Sequence, residues 1–194
     1  GLMTKGSTVE KNLYYFNTNE YYSVYDFSRI LYELIQKNRM ENRPIVFLCI
    51  GTDRATGDSL GPIVGYKLTK MYRKNISLYG TLNSPVHAKN LSKTIDQIYL
   101  DHPNPFIIAI DASLGSSRHV GYITLGEGSL LPGAGVDKDL PPVGDIFITG
   151  IVNFSGVLDH MLLQTTRLNI VMILADYISN GINYCYRKIC KESI

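Results

Sequence analysis

Residues 45–62 read Ile45-Val46-Phe47-Leu48-Cys49-Ile50-Gly51-Thr52-Asp53-Arg54-Ala55-Thr56-Gly57-Asp58-Ser59-Leu60-Gly61-Pro62. The first six form a continuous apolar run with β-branched members. Such a run predicts a strand buried on both faces, as in a parallel sheet under helices. Residues 51–57 read as a loop. A helix then starts near 58–62, where Pro62 suits the first turn. Ile63, Val64, Leu68 and Met71 form its apolar stripe.

Two more runs of the same kind follow. Residues 106–110 are apolar and end at Asp111, and residues 146–152 form a third buried strand. Residues 77–82 suggest a short strand, and the alternation over 120–125 suggests an outer one. Between them lie helical periods. Ser23 with Asp26 resembles a capping box, and Val24, Phe27, Leu31, Leu34 and Ile35 carry a helix to Asn42, before Pro44. Leu91, Ile95, Ile98 and Tyr99 mark another. Residues 158–190 are helical in period throughout, weakened at Gly181. Residues 126–144 hold eight glycines and prolines and read as a long loop, a feature that in compact domains is usually functional. Residues 1–22 are Tyr-rich without a period and are expected to form an irregular arm, with the tyrosines lying against the domain. Residues 23–194 are then a single domain. Strands alternating with helices give an α/β layered fold.

Composition narrows the function. The chain has 194 residues, 45% hydrophobic and 19% charged, which suits one globular domain. Its net charge of +2 does not point to nucleic acid. Cys49, Cys185 and Cys190 cannot form a complete disulfide set and none lies in a C-x-x-C pair, so reduced thiols, a cytoplasmic setting and no zinc site of the usual kind are expected. The most apolar long stretch, 158–178, contains Asp159, His160, Gln164, Arg167 and Asp176, so no membrane association is expected. The N-terminus shows no secretory signal pattern.

In an α/β sheet, sites gather at the carboxyl ends of strands. That rule selects Asp58, after the first strand, and Asp111, after the second. If those strands are neighbours, the two carboxyls converge on one crevice. Two nearby carboxylates cannot both ionise easily, so one pKa rises and the pair can share a proton. Such a pair can activate water and protonate a leaving group, or it can ligate a divalent metal. The plain alternatives are a helix N-cap for Asp58 and a turn residue for Asp111.

Other residues have supporting roles open to them. Arg54, beside Asp53, could hold a carboxylate or a substrate terminus, or form a surface ion pair. Thr56 and Ser59 could hydrogen-bond the Asp58 carboxyl or cap the helix. Ser113, Ser116 and Ser117 follow Asp111 with His119 nearby, but no G-x-S-x-G elbow surrounds a serine. His87, His102, His119 and His160 are scattered, and each reads as structural or exposed; only the strand of His119 could return it to the crevice. Gly133 and Gly135 could let an extended peptide approach the backbone. Gly51, Gly57 and Gly61 fit neither nucleotide-binding glycine motif. Asp137 and Asp139 read as solvated loop charges, and Cys49 as an inert core thiol.

Three segments in order carry a family resemblance. Thr56-Gly57-Asp58-Ser59-Leu60-Gly61-Pro62 is similar to T-P-D-A-L-G-P of the spore germination protease. Ile108-Ala109-Ile110-Asp111-Ala112 is similar to its I-A-I-D-A, and Pro132-Gly133-Ala134-Gly135-Val136 to its P-G-S-G-V. Over residues 44–185 the chain resembles the YyaC family of sporulation proteins (DUF1256), relatives of that protease and, more distantly, of the hydrogenase maturation proteases. The resemblance implies a three-layer, phosphorylase/hydrolase-like α/β/α sandwich with a central mixed, mostly parallel sheet. It also implies an endopeptidase site with Asp58 and Asp111 as the catalytic pair and a protein or peptide substrate, a spore protein. The hydrogenase maturation relatives place a metal-binding carboxylate at both positions and add a histidine. Here Leu131 stands where the germination protease pattern has a histidine, and Thr52 where an asparagine is usual. No cofactor is expected; should a divalent metal bind, Asp58, Asp111 and His119 are its candidate ligands. Two other readings stay open: a module of this fold that binds a sporulation partner and cleaves nothing, and a metal-dependent or nickel-sensing protein.

Overall fold

The computed structural model describes residues 12–71, 77–132, 140–156 and 158–192. In chain order the elements are β1 (Leu13–Asn17), α1 (Ser23–Asn38), β2 (Ile45–Cys49), α2 (Leu60–Met71), β3 (Ser77–Tyr79), α3 (Leu91–Asp101), β4 (Phe106–Gly115), β5 (Tyr122–Glu127), β6 (Ile146–Phe154), α4 (Asp159–Thr165) and α5 (Leu168–Glu192). They build one six-stranded sheet in the order β1-β5-β6-β4-β2-β3. The three apolar runs become its centre: β2 and β4 pair in parallel, as do β4 and β6, with β3 parallel at one edge. β5 and β1 complete the other side with antiparallel pairings.

Helices cover both faces, because the central strands carry continuous apolar runs over 45–50, 106–110 and much of 146–152. Ile108 and Ile110 of β4 face one side, where they pack with Phe27 and Leu31 of α1, Leu60 and Val64 of α2, and Leu174 and Ile178 of α5. Ile107 and Ala109 face the other side and pack with Leu91 and Ile98 of α3. Each such side chain, fully buried, contributes roughly 1.5–3 kcal/mol. The result is a mixed, mostly parallel α/β/α sandwich, as the family resemblance implies. On that face α3 packs over β3, β2 and β4, through Leu91, Ile95 and Ile98. Among the described residues, no helix is long and apolar enough to cross a membrane.

Several elements differ from expectation. The arm is not irregular over its second half: Leu13–Asn17 form the edge strand β1, in register with β5 from Leu13↔Gly126 to Asn17↔Tyr122. β5 is therefore an interior strand, not an outer one. Ser23 does not cap α1; Tyr22 holds the cap position without a side-chain bond. Instead the Ser23 hydroxyl donates to the Asn17 carbonyl at 2.8 Å and shares a hydrogen bond with the Tyr177 hydroxyl. α1 stops at Asn38, whose amide donates to the Leu34 carbonyl; a 3-10 turn over Met40–Asn42 follows, with Glu41 and Asn42 at positive φ. β4 continues through Asp111 to Gly115, because β6 runs alongside it. The long C-terminal period is two helices. The break falls at Thr166, which is extended and buried, with its hydroxyl donating to the Leu162 carbonyl at 2.6 Å. Gly181 does not weaken α5: a Cβ there would meet the Phe27 ring at 2.2 Å, so the glycine is a packing requirement. Cys49 and Cys185 are buried and burial pushes both thiols up, as expected of inert core cysteines.

Phe27 joins the N-terminal strand to the C-terminal helix. Its ring is fully buried, with centroids 5.5 Å from both Phe16 and Tyr177. Phe27→Ala is expected to cost about 3–5 kcal/mol in urea unfolding. A loss below about 1 kcal/mol would contradict this packing.

Candidate active site

β2 ends at Cys49 opposite Ile110 of β4, and the Ile50 amide still donates to the Ile110 carbonyl at 2.7 Å. The chain then turns sharply. Gly51 has φ +145°, and its amide donates to the Val86 carbonyl. A Cβ at Gly51 would lie 2.2 Å from the Asp58 carbonyl oxygen, and one at Gly61 would lie 2.1 Å from the Ile50 carbonyl oxygen. These glycines let the loop fold back on the strand end, which explains why they fit no phosphate-binding pattern. The Thr52 amide donates to the Asp58 carbonyl at 2.9 Å and closes the loop. Asp58 ends a 3-10 turn over Thr56–Asp58 that packs against α4 and leads into α2.

Asp58 and Asp111 line one cavity of about 530 Å³, at the carboxyl end of β2 beside β4. Asp111 is 4% exposed within β4, two residues before a register shift against β6. Bulges of this kind recur beside active sites. The Asp58 carboxyl accepts no hydrogen bond from the described residues, so it does not act as an N-cap. Burial pushes it up to about 7. Removal from water is thus the cause of the shift, in place of the like-charge repulsion expected from the sequence.

Three other segments complete the cavity. Ile50, Gly51, Thr52, Arg54 and Ala55 come from the β2 end and its loop. His87, Ala88 and Lys89 come from the turn before α3; there the His87 amide donates to Asn90 Oδ1 and the Asn90 side chain donates to the Pro85 carbonyl. The Lys89 amide donates to His87 Nδ1 at 3.3 Å, so a neutral His87 carries its proton on Nε2. His160, Leu163 and Gln164 come from α4, and Leu140 from the loop before β6.

Of the residues singled out in the sequence, Thr52, Arg54, Asp58 and Asp111 meet here. Asp53, Thr56 and Ser59 line a neighbouring hollow with Ile63, Tyr66 and Lys67, and the Ser59 hydroxyl donates to the Thr56 carbonyl, not to Asp58. Ser113 shares the sheet face of Asp111 but lines a separate groove with His119 over β5 and β6. His119 is held there by the rings of Tyr15 and Tyr122 and by Ser116, so it does not return to the crevice. Gly133, Gly135, Asp137 and Asp139 lie outside the described residues. His87, Lys89 and His160 are what sequence reasoning missed. No local motif surrounds them, and only the Ile50↔Val86 bridge and the packing of α4 bring them in.

The side chains present do not fit a three-ligand metal site. Among the described residues, no three His, Cys, Asp or Glu groups are placed to hold an ion together. Leu131, at the position of the missing histidine, is exposed.

The raised Asp58 carboxyl couples stability to pH. A carboxyl with its pKa raised from 3.8 to about 7 on folding favours the folded state fully below pH 4, and that contribution is lost as pH rises towards 7. The loss is up to about 4 kcal/mol at 1.36 kcal/mol per pKa unit. Asp58→Asn should therefore be more stable than the parent protein at pH 8, with the difference vanishing near pH 4, as read by urea unfolding. An unchanged difference across this window would contradict an Asp58 carboxyl raised by desolvation.

Residues 15–181 match the family model described as "Protein of unknown function (DUF1256)". The chain is 54% identical over 141 residues to the Bacillus subtilis (strain 168) protein named "Uncharacterized protein YyaC", which is 73% of this chain and 69% of that one. Among solved structures, it is similar to the [NiFe] hydrogenase maturation protease HycI from Thermococcus kodakarensis KOD1, with a TM-score of 0.49 and 16% identity over 79% of this chain and 99% of that one. The match across most of the domain, with the identity to YyaC, places the chain in the DUF1256 family.

Proposed function

We propose that this protein is a peptidase that hydrolyses a peptide bond of a spore protein by direct attack of water. One observation carries the reading: a carboxyl raised to about 7 by burial lines a common cavity with a second, buried carboxyl. A group with that pKa is an efficient proton donor at neutral pH. Asp58 is the general acid and Asp111 the general base. Asp111 takes a proton from water as its oxygen attacks the carbonyl carbon. The C–N bond breaks as Asp58 gives its proton to the leaving nitrogen. Products are a carboxylic acid and an amine, and the two aspartates exchange the transferred proton through solvent. The motifs around both aspartates, shared with the germination protease, support this assignment, as does the apolar lining that keeps Asp58 protonated.

The cavity is also suited to a peptide. Ile50, Ala55, Ala88, Leu140 and Leu163 offer apolar contact, while Thr52 and Gln164 offer polar groups that orient a backbone. The charged and titratable groups around Asp58 are Arg54, His87, Lys89, Asp111 and His160.

The test is digestion of spore-protein extracts and of a blocked peptide library, read by mass spectrometry. Asp58→Asn and Asp111→Asn are each expected to lower cleavage by about 10²–10⁴-fold. With Asp58 as the acid, kcat/KM should fall above pH 7, tenfold per unit. Full cleavage by either variant would overturn the mechanism. Tight capture of one spore protein without cleavage would favour a binding module of the same fold.

A further inference from the structure

The cavity has a floor of carboxyls and a mouth of opposite sign. Arg54 stands on the loop after β2, where its amide donates to Thr52 Oγ1 at 3.3 Å. Lys89 stands on the turn before α3, held by the Asn90 bonds to His87 and Pro85. Both line the cavity and both are exposed. Neither forms an ion pair among the described residues. Two loops from different parts of the chain thus each bring to one opening a cation that has no ion pair among the described residues. Burial raises the Asp58 carboxyl above the ordinary range, so it offsets these cations less than an ordinary aspartate would.

We propose that Arg54 and Lys89 are an anion-recognising pair, and that the site takes a peptide bearing a carboxylate beside the bond laid over Asp58 and Asp111. The carboxylate belongs either to an acidic side chain or to a free C-terminus, and the guanidinium and ammonium groups serve both. The placement of the bond rests on the peptidase reading; the charge selectivity does not. Exposed charges at the rim of a cavity act on specificity and association rate more than on total affinity. They also oppose a basic peptide, which meets like charge at the entrance.

The experiment compares four blocked alanine pentapeptides, in the full chain, by NMR titration of the backbone amides around Thr52, Arg54 and Lys89. Three are C-terminal amides with Glu, Gln or Lys at the centre, and the fourth is all alanine with a free C-terminal carboxylate. At about 50 mM salt, the Glu peptide, the free-carboxylate peptide, or both are expected to bind about tenfold more tightly than the Gln peptide, with the Lys peptide weakest. Which of the two carboxylates gains identifies its source. The gain should disappear in Arg54→Gln/Lys89→Gln, a substitution at exposed positions whose thermal unfolding should match the parent, and at about 0.5 M salt. Equal binding of all four, absence of binding by any, or a preference that survives the double substitution would overturn the proposal. Mass spectrometry of the same samples separates the two readings. Carboxylate-selective binding with no cleavage would contradict the peptidase and leave the anion site standing. Cleavage without charge preference would do the reverse.

Discussion

The parallel register of β2 and β4 is the constraint from which the site follows. Because Cys49 lies opposite Ile110, the end of β2 falls level with Asp111, while β4 runs on beside β6. A chain leaving β2 must turn away at that height, and Gly51 turns it. The hydrogen bond from the Thr52 amide to the Asp58 carbonyl then brings Asp58 back to the level it left. Parallel strands buried on both faces, a left-handed glycine and one backbone hydrogen bond place two distant carboxyls at one cavity. Shifting the pairing by one residue would move Asp111 to the other face of the sheet.

The environment then divides the two aspartates from the cations around them. α4 packs on the 3-10 turn that carries Asp58 and excludes water from one side. Burial without a hydrogen-bond donor disfavours the charged form, which is how the carboxyl reaches the pKa of a neutral-pH acid. Arg54 and Lys89 are exposed, on loops. A part-buried group tuned by desolvation and exposed groups acting by long-range charge share one cavity. In the proposed function the first bears on chemistry and the second on which ligand enters.

The centre of this arrangement is legible in the sequence because it is local. Continuous apolar runs of five or six residues announce doubly buried strands, and an aspartate at each exit is visible beside them. What depends on distant partners is not legible. β1 is a short tyrosine-rich segment whose strand character comes from β5, more than a hundred residues away. The break between α4 and α5 leaves the helical period intact, since Thr166 turns inward and satisfies the Leu162 carbonyl with its own hydroxyl. His119 is close to Asp111 by number, yet the 3-10 turn after β4 sets it against the rings of Tyr15 and Tyr122, away from the cavity. His87 and His160, remote in sequence, are the histidines that reach the cavity. Even the raised pKa has a different origin from the one that two facing aspartates suggest, because sequence gives the neighbour and not the depth of burial.

The most direct test is a carboxyl-carbon NMR titration of the folded protein with Asp58 and Asp111 assigned. A midpoint for Asp58 near 7, unchanged in Asp111→Asn, is the expected result, because desolvation rather than charge repulsion sets it. A midpoint for Asp58 near the ordinary aspartate value of about 4 would contradict a buried acid and remove the chemistry assigned to this cavity.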